Sequence, residues 1–161
     1  MFRTLASGAD SPPNCVFLAD QDGISDKVLD TPNFMVNSAS AQVTFRHAYN
    51  MEADATTDWD GCVLEVSING GAFVDILDPT AGGTFVSGDY NAVITDKASN
   101  PLANRRAWSR DSGGYVTTTA NLGALNGQTI KLRFRMGTDE AAAAPGWRID
   151  NFALTGASCG P

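Results

Sequence analysis

The segment TIKLRFRM sets Ile130, Leu132, Phe134 and Met136 against Lys131, Arg133 and Arg135. A strict period of two places each set on its own face of a strand, so one face must find a core and the other water. The same alternation recurs in AQVTFRHAY, with Val43, Phe45, His47 and Tyr49 on one side and Thr44, Arg46 and Ala48 on the other. It recurs again in CVLEVSI, where Cys62, Leu64, Val66 and Ile68 point inward and Glu65 and Ser67 outward. Strands with one dry face are the units of antiparallel sheets. No segment carries a sustained helical stripe, and Pro145 and Gly146 stop the alanines of EAAAAPG after about one turn. The pattern predicts an all-β, two-sheet antiparallel β-sandwich.

Turn chemistry punctuates the strands. Asn69-Gly70-Gly71 supplies the positive φ angles of a tight hairpin between CVLEVSI and AFVDIL, and Asn126-Gly127 precedes the Ile130 strand. Ile149 and Phe152 lie three apart where a strand needs an even spacing, so a bulge is expected at Asp150–Asn151. The stretch from Phe85 to Ser112 is a long irregular connection, with Trp108 expected to anchor it.

At 161 residues and 43% hydrophobic content, residues 1–161 are expected to form one domain, with 1–14 and 156–161 as peripheral tails. Eighteen acidic residues against eleven basic give a net charge of -7, which argues against a nucleic-acid partner. No apolar run has the length of a membrane span, and the first residues lack the pattern of a signal peptide, as expected of one domain cut from a larger chain. Three cysteines without a C-x-x-C pair, and a single histidine, disfavour zinc. A Cys15–Cys159 bridge and two free thiols stand as equal alternatives, with Cys62 expected to be a buried small hydrophobe.

The chain crowds Glu52, Asp54, Asp58 and Asp60 into one connection. Glu52 follows the strand ending at Tyr49 and Asp60 precedes the strand starting at Cys62, so neighbouring antiparallel strands bring them to one sheet edge. Asp150 sits at the expected bulge, and Asp20, Asp22, Asp26 and Asp30 are placed in a loop pivoting on Gly23. Three chemistries compete: a bound cation, a catalytic carboxylate pair, or a solvated acidic loop. Calcium takes six to eight hard oxygens in a tolerant geometry, which acids from separate strand ends and loop carbonyls can supply. Magnesium's tighter octahedron fits less well, and the spacing is not that of an EF-hand. No G-x-S-x-G elbow is present, and His47 shares the parity of core residues, so it reads as a core histidine.

The segments VTFRHAYNMEADATTDWDGCVLEVSINGGAFVDI, NPLANRRAWSRDSGGY, IKLRFRMGTD and GWRIDNFAL follow an order that resembles MAM-like jelly-roll domains. Such domains are appended to bacterial secreted and surface proteins, including immune-inhibitor-A-type metallopeptidases. The resemblance implies a non-catalytic two-sheet jelly roll whose structural calcium ties loops to a sheet edge. By position it points to Asp20, Asp26, Glu52, Asp60 and Asp150 as metal-site residues, some holding the ion and others supporting those that do. The H-E-x-x-H motif of the peptidases is absent. The expectation is a calcium-stabilised module of a secreted or cell-surface protein, serving binding, adhesion or spacing, with a glycan or a cell-surface protein as partner. Two rivals stand beside it. One is a carbohydrate-binding module stacking sugars on exposed aromatics, with Trp59, Trp108, Trp147 and Tyr115 as candidates; the other is a glycoside hydrolase with Glu52 as its acid.

Overall fold

Alternation becomes strand in the computed structural model, which describes residues 3–160. The chain enters through β1 (Arg3–Leu5), β2 (Cys15–Leu18), β3 (Ser25–Asp30) and β4 (Phe34–Val36). The long β5 (Gln42–Asn50) and β6 (Gly61–Ile68) follow, then β7 (Phe73–Asp75), β8 (Thr84–Ser87), β9 (Ala92–Val93) and β10 (Arg106–Ala107). After these come β11 (Val116–Asn121), one 3-10 turn at Gly123–Leu125, β12 (Thr129–Thr138), β13 (Gly146–Thr155) and β14 (Ala157–Cys159).

One six-stranded sheet runs β1-β2-β13-β5-β11-β8. The other runs β14-β4-β12-β6-β7, with β3 also paired to β12 beyond the end of β4. All strand pairings are antiparallel. The long strands β5, β6, β11, β12 and β13 alternate between the two sheets, which is a jelly-roll winding of an all-β sandwich. Among the described residues no helix is long and apolar enough to cross a membrane.

The inner faces are the ones the alternation marks. Val43, Phe45 and His47 on β5, and Ile130, Leu132 and Met136 on β12, are fully buried. Strand β6 departs from simple alternation because its outer face is covered as well. There Val63 is fully buried and Glu65 is only 2% exposed. Glu65 tolerates that position because Arg105 and Arg135 each bring a guanidinium nitrogen to its Oε1, at 2.5 and 3.1 Å. Trp108 anchors the long connection, as expected: it is buried, and its Nε1 donates to the Gly88 carbonyl at 2.9 Å.

Beside it His47 is fully satisfied. An indole N–H can only donate, so Trp147 Nε1, 3.1 Å away, makes His47 Nδ1 the acceptor. Nε2 then carries the proton and donates to Thr118 Oγ1 at 2.8 Å, which in turn donates to the Gly88 carbonyl at 2.9 Å. Burial, with Arg46 nearby, pushes the imidazole pKa down to about 3.

Several expectations are corrected. Both chain ends are hydrogen-bonded edge strands rather than tails: β1 pairs with β2 and β14 with β4, while residues 1, 2 and 161 lie outside the described residues. SDKVLD is the strand β3, not a loop. EAAAAPG forms no helical turn and passes through a positive φ at Ala142. Cys15 and Cys159 sit on different sheets and are unbridged. The bulge lies where the spacing put it, with a register shift between Asp150 and Ala153 and Asn151 at φ 49°.

The β6–β7 hairpin turns on Asn69 at φ 51° and Gly70 at φ 76°. A methyl at Gly70 meets no atom within 4 Å, so its cost is conformational alone. Gly70→Ala is expected to lower stability by about 1 kcal/mol in urea unfolding.

Candidate metal centre

Three loops at one end of the sandwich deliver the acids. The first is the β5–β6 connection, where the Glu52 carbonyl accepts the N–H groups of Trp59 and Asp60, both at 3.2 Å. That closure folds the connection back so that Glu52 and Asp60 become neighbours. The second is the end of β12. Gly137 pairs with Gly61, so the residues just beyond the pair, Asp60 and the Thr138–Asp139 segment, lie side by side. Asp139 N–H donates to Asp60 Oδ1 at 2.8 Å. Both glycines are required by close approach: a Cβ on Gly61 would sit 2.6 Å from Ile94 Cδ1, and one on Gly137 2.5 Å from Asn100 Oδ1. The third loop carries Asp20, two residues beyond β2, whose Oδ2 accepts Ala144 N–H at 3.0 Å. Here Gly146 opens β13 at φ 106°, where a Cβ would strike the Leu18 carbonyl oxygen.

The result is a compact group of oxygens. One carboxylate oxygen from each of Glu52, Asp60 and Asp139 lies within 4.8 Å of the others. Asp60 is fully buried, and Asp139 and Asp20 are 5% and 7% exposed. Asp60 Oδ1 is held by Asp139 N–H and by Asn100 Nδ2 at 3.2 Å. Asp60 Oδ2, Asp20 Oδ1 and Glu52 Oε2 are buried with no hydrogen-bond partner.

Electrostatics follow from that packing. Burial first, then the charges of Asp20 and Asp139, push the Asp60 carboxyl up to about 8, against a holding hydrogen bond from Asp139 N–H. Burial also raises Asp20, opposed by N–H groups of Ala144, Gln21 and Glu52. Glu52 is raised by burial and by the negative charges of Asp139 and Asp20. The negative charge of Asp20 opposes ionisation of Asp60, and two ionised carboxylates repel each other. Their approach is favourable only with a proton or a cation between them.

Of the five acids expected at a metal, the structure brings Asp20, Glu52 and Asp60 together and sends Asp26 and Asp150 elsewhere. Asp26 lies on the outer face of β3, where both carboxylate oxygens pair with Arg135 at 2.8 Å. Asp150, turned outward at the bulge, accepts the N–H groups of Asp10 and Ser11 at 2.8 and 2.9 Å and pins the N-terminal loop. Asp54 and Asp58 serve their own connection. Asp54 Oδ1 caps the N–H groups of Thr56 and Thr57 at 2.8 Å, and Asp58 Oδ1 forms an ion pair with Arg110 Nε at 2.7 Å. The acid that the sequence reading missed is Asp139.

The aromatic platform does not assemble. Trp108 and Trp147, at 1% and 0% exposed, belong to the core. Tyr115 is half-buried, with its hydroxyl bound to the Gly8 carbonyl at 2.8 Å and its ring facing Arg46. Trp59 is half-buried beside the acids and donates Nε1 to Asp54 Oδ2 at 3.3 Å.

Donors of this kind suit a hard cation: all are oxygens, they come from separate loops, and several are unpaired. They suit glycoside hydrolysis less well. Carboxylates in that chemistry stand about 5–9.5 Å apart across a cleft, whereas oxygens of these lie within 4.8 Å of one another and Asp60 and Asp139 are buried. No family model matches the chain, and no match is found among curated proteins.

Proposed function

We propose that the domain is a non-catalytic β-sandwich module of a secreted or cell-surface protein, stabilised by one calcium ion, and used for binding, adhesion or spacing. The ion is held by Glu52, Asp60 and Asp139, with Asp20 alongside. The observation that carries this reading is a close set of orphaned oxygens: carboxylate oxygens of Glu52, Asp60 and Asp139 lie within 4.8 Å of one another, and Asp60 Oδ2 and Glu52 Oε2, like Asp20 Oδ1 nearby in the fold, are buried without a donor. Leaving such groups unpaired costs several kcal/mol, of the order of the desolvation penalty of an ion, and a dication between them removes the cost. Calcium is favoured over magnesium because the donors come from three loops whose spacing a tolerant coordination sphere can accept. A role in adhesion or spacing rests on the resemblance to MAM-like domains, and the tight carboxylate group supports a site that holds rather than reacts.

The test is metal content and titration calorimetry on the purified domain. The expected result is one calcium per chain, displaced by chelator, with weaker binding of magnesium. Protein that neither carries nor takes up a divalent cation would overturn the proposal.

A further inference from the structure

We propose that Lys27 is the resident counter-ion of the carboxylate centre and sets how weakly the centre holds a divalent cation. The affinity part rests on the metal reading above; the counter-ion part does not.

Lysine is an unusual occupant of this position. In the register of the second sheet, Lys27 stands opposite Met136, which stands opposite Cys62. Cross-strand partners share a face, so the Lys27 side chain leaves β3 on the side of the core residues Met136 and Cys62. Its neighbours Asp26 and Val28 are exposed, while Lys27 is 9% exposed. Burying an ammonium is costly unless opposite charge compensates it. Nζ donates to the Ala19 carbonyl at 2.5 Å, one residue before Asp20. Burial lowers its pKa, and the negative charges that oppose this are those of Asp20 and Asp60. The lysine therefore approaches the acids from the core side and is tied to backbone rather than to a carboxylate oxygen. It offsets their repulsion without occupying a ligand position.

The consequence is a site of reduced net charge. Glu52, Asp60, Asp139 and Asp20 bring four acids, and Lys27 cancels the field of one. Ligand charge is a principal determinant of calcium affinity in oxygen sites, from tight intracellular buffers to weak extracellular modules. A fixed positive charge beside the ion moves the site toward the weak end, and it keeps the acids together when the ion leaves.

The experiment is calcium titration calorimetry on wild type, Lys27→Met, Lys27→Gln and Lys27→Arg, with thermal unfolding in chelator. The neutral variants are expected to bind calcium at least about tenfold more tightly, and Lys27→Arg to stay within about threefold of wild type. Unchanged or weaker binding by the neutral variants overturns the proposal. If they fold only in calcium, the ion has replaced the lysine charge and the proposal is supported; failure to fold even in saturating calcium overturns it. Should wild type bind no calcium, the metal reading and the affinity claim fall. The counter-ion claim is then decided by the chelator cycle of Lys27→Met with Asp60→Asn. A double variant more stable than the sum of the two single effects predicts upholds it, and additivity refutes it.

Discussion

Asp60→Asn is expected to change the sign of its effect with the medium: less stable than wild type in excess calcium, more stable in chelator. In calcium the variant loses a central anionic oxygen. At a hundredfold excess over Kd a bound ion contributes about 2.7 kcal/mol, so abolished binding lowers the Tm by roughly 5–10 °C for a domain of this size. In chelator the balance reverses. The amide oxygen still accepts Asp139 N–H, the ionisable carboxyl is gone, and an amide donor replaces the orphaned Oδ2. Each pKa unit of relieved perturbation is worth about 1.4 kcal/mol, so a gain on the order of 1 kcal/mol or more is expected. Thermal unfolding in the two buffers checks this. The same sign in both would mean that the oxygens of Asp60 neither repel their neighbours nor hold an ion.

The metal-free domain is expected to lose stability as pH rises from about 4 to about 8. Asp60 carries the argument: its carboxyl has an ordinary value of 3.8 and is raised to about 8 by the fold. In this window the native state holds a proton that the unfolded chain has released. The stabilisation is therefore complete below about pH 4 and is lost as pH climbs through the folded value. Asp20 and Glu52, also raised, act in the same direction. A second set acts oppositely and at lower pH. The guanidinium of Arg135 holds Asp26 low and that of Arg133 holds Asp30 low, so their contributions are lost only as pH falls below the ordinary carboxylate range. The chelated protein should thus be most stable in mildly acidic solution. Calcium competes with the proton, so the rise in Tm on adding it should grow from about pH 5 to about pH 8. Unfolding curves across this range, with and without chelator, read both slopes. A chelated domain that gains stability on the way to neutrality would contradict the account.

How much of this was legible depended on the distance over which a residue is read. Alternation over five to ten residues is local, so β5 and β12 and their inner faces followed from the sequence, as did the Asn69–Gly70 hairpin and the bulge after Asp150. Glu52 and Asp60 do meet, but not as neighbours on one sheet edge: β5 and β6 lie in opposite sheets, and the connection between them folds back through the bonds of Trp59 and Asp60 N–H to the Glu52 carbonyl. Asp139 did not follow, since its place depends on the pairing of Gly61 with Gly137, 76 positions apart in the chain. A signal was available: Asp-Gly opens β6 and Gly-Thr-Asp closes β12, matching ends of strands that become neighbours. Asp26 was misplaced because β3 inverts the usual pattern, turning a lysine inward and Val28 outward, which hides a strand behind loop-like composition. Asp150 was correctly set at an irregular point, but the partner that claims it is the Asp10–Ser11 backbone, about 140 residues away in the chain.

The proton arrangement at His47 has one more consequence. Charging that ring would require a second N–H where the Trp147 indole already donates, so two donors would face each other between two fully buried side chains. The centre of the sandwich is therefore acid-blind across the physiological range. Titration of the domain reports on its carboxylate rim, and a histidine-directed probe should see a silent ring while the rim gains and loses its charge.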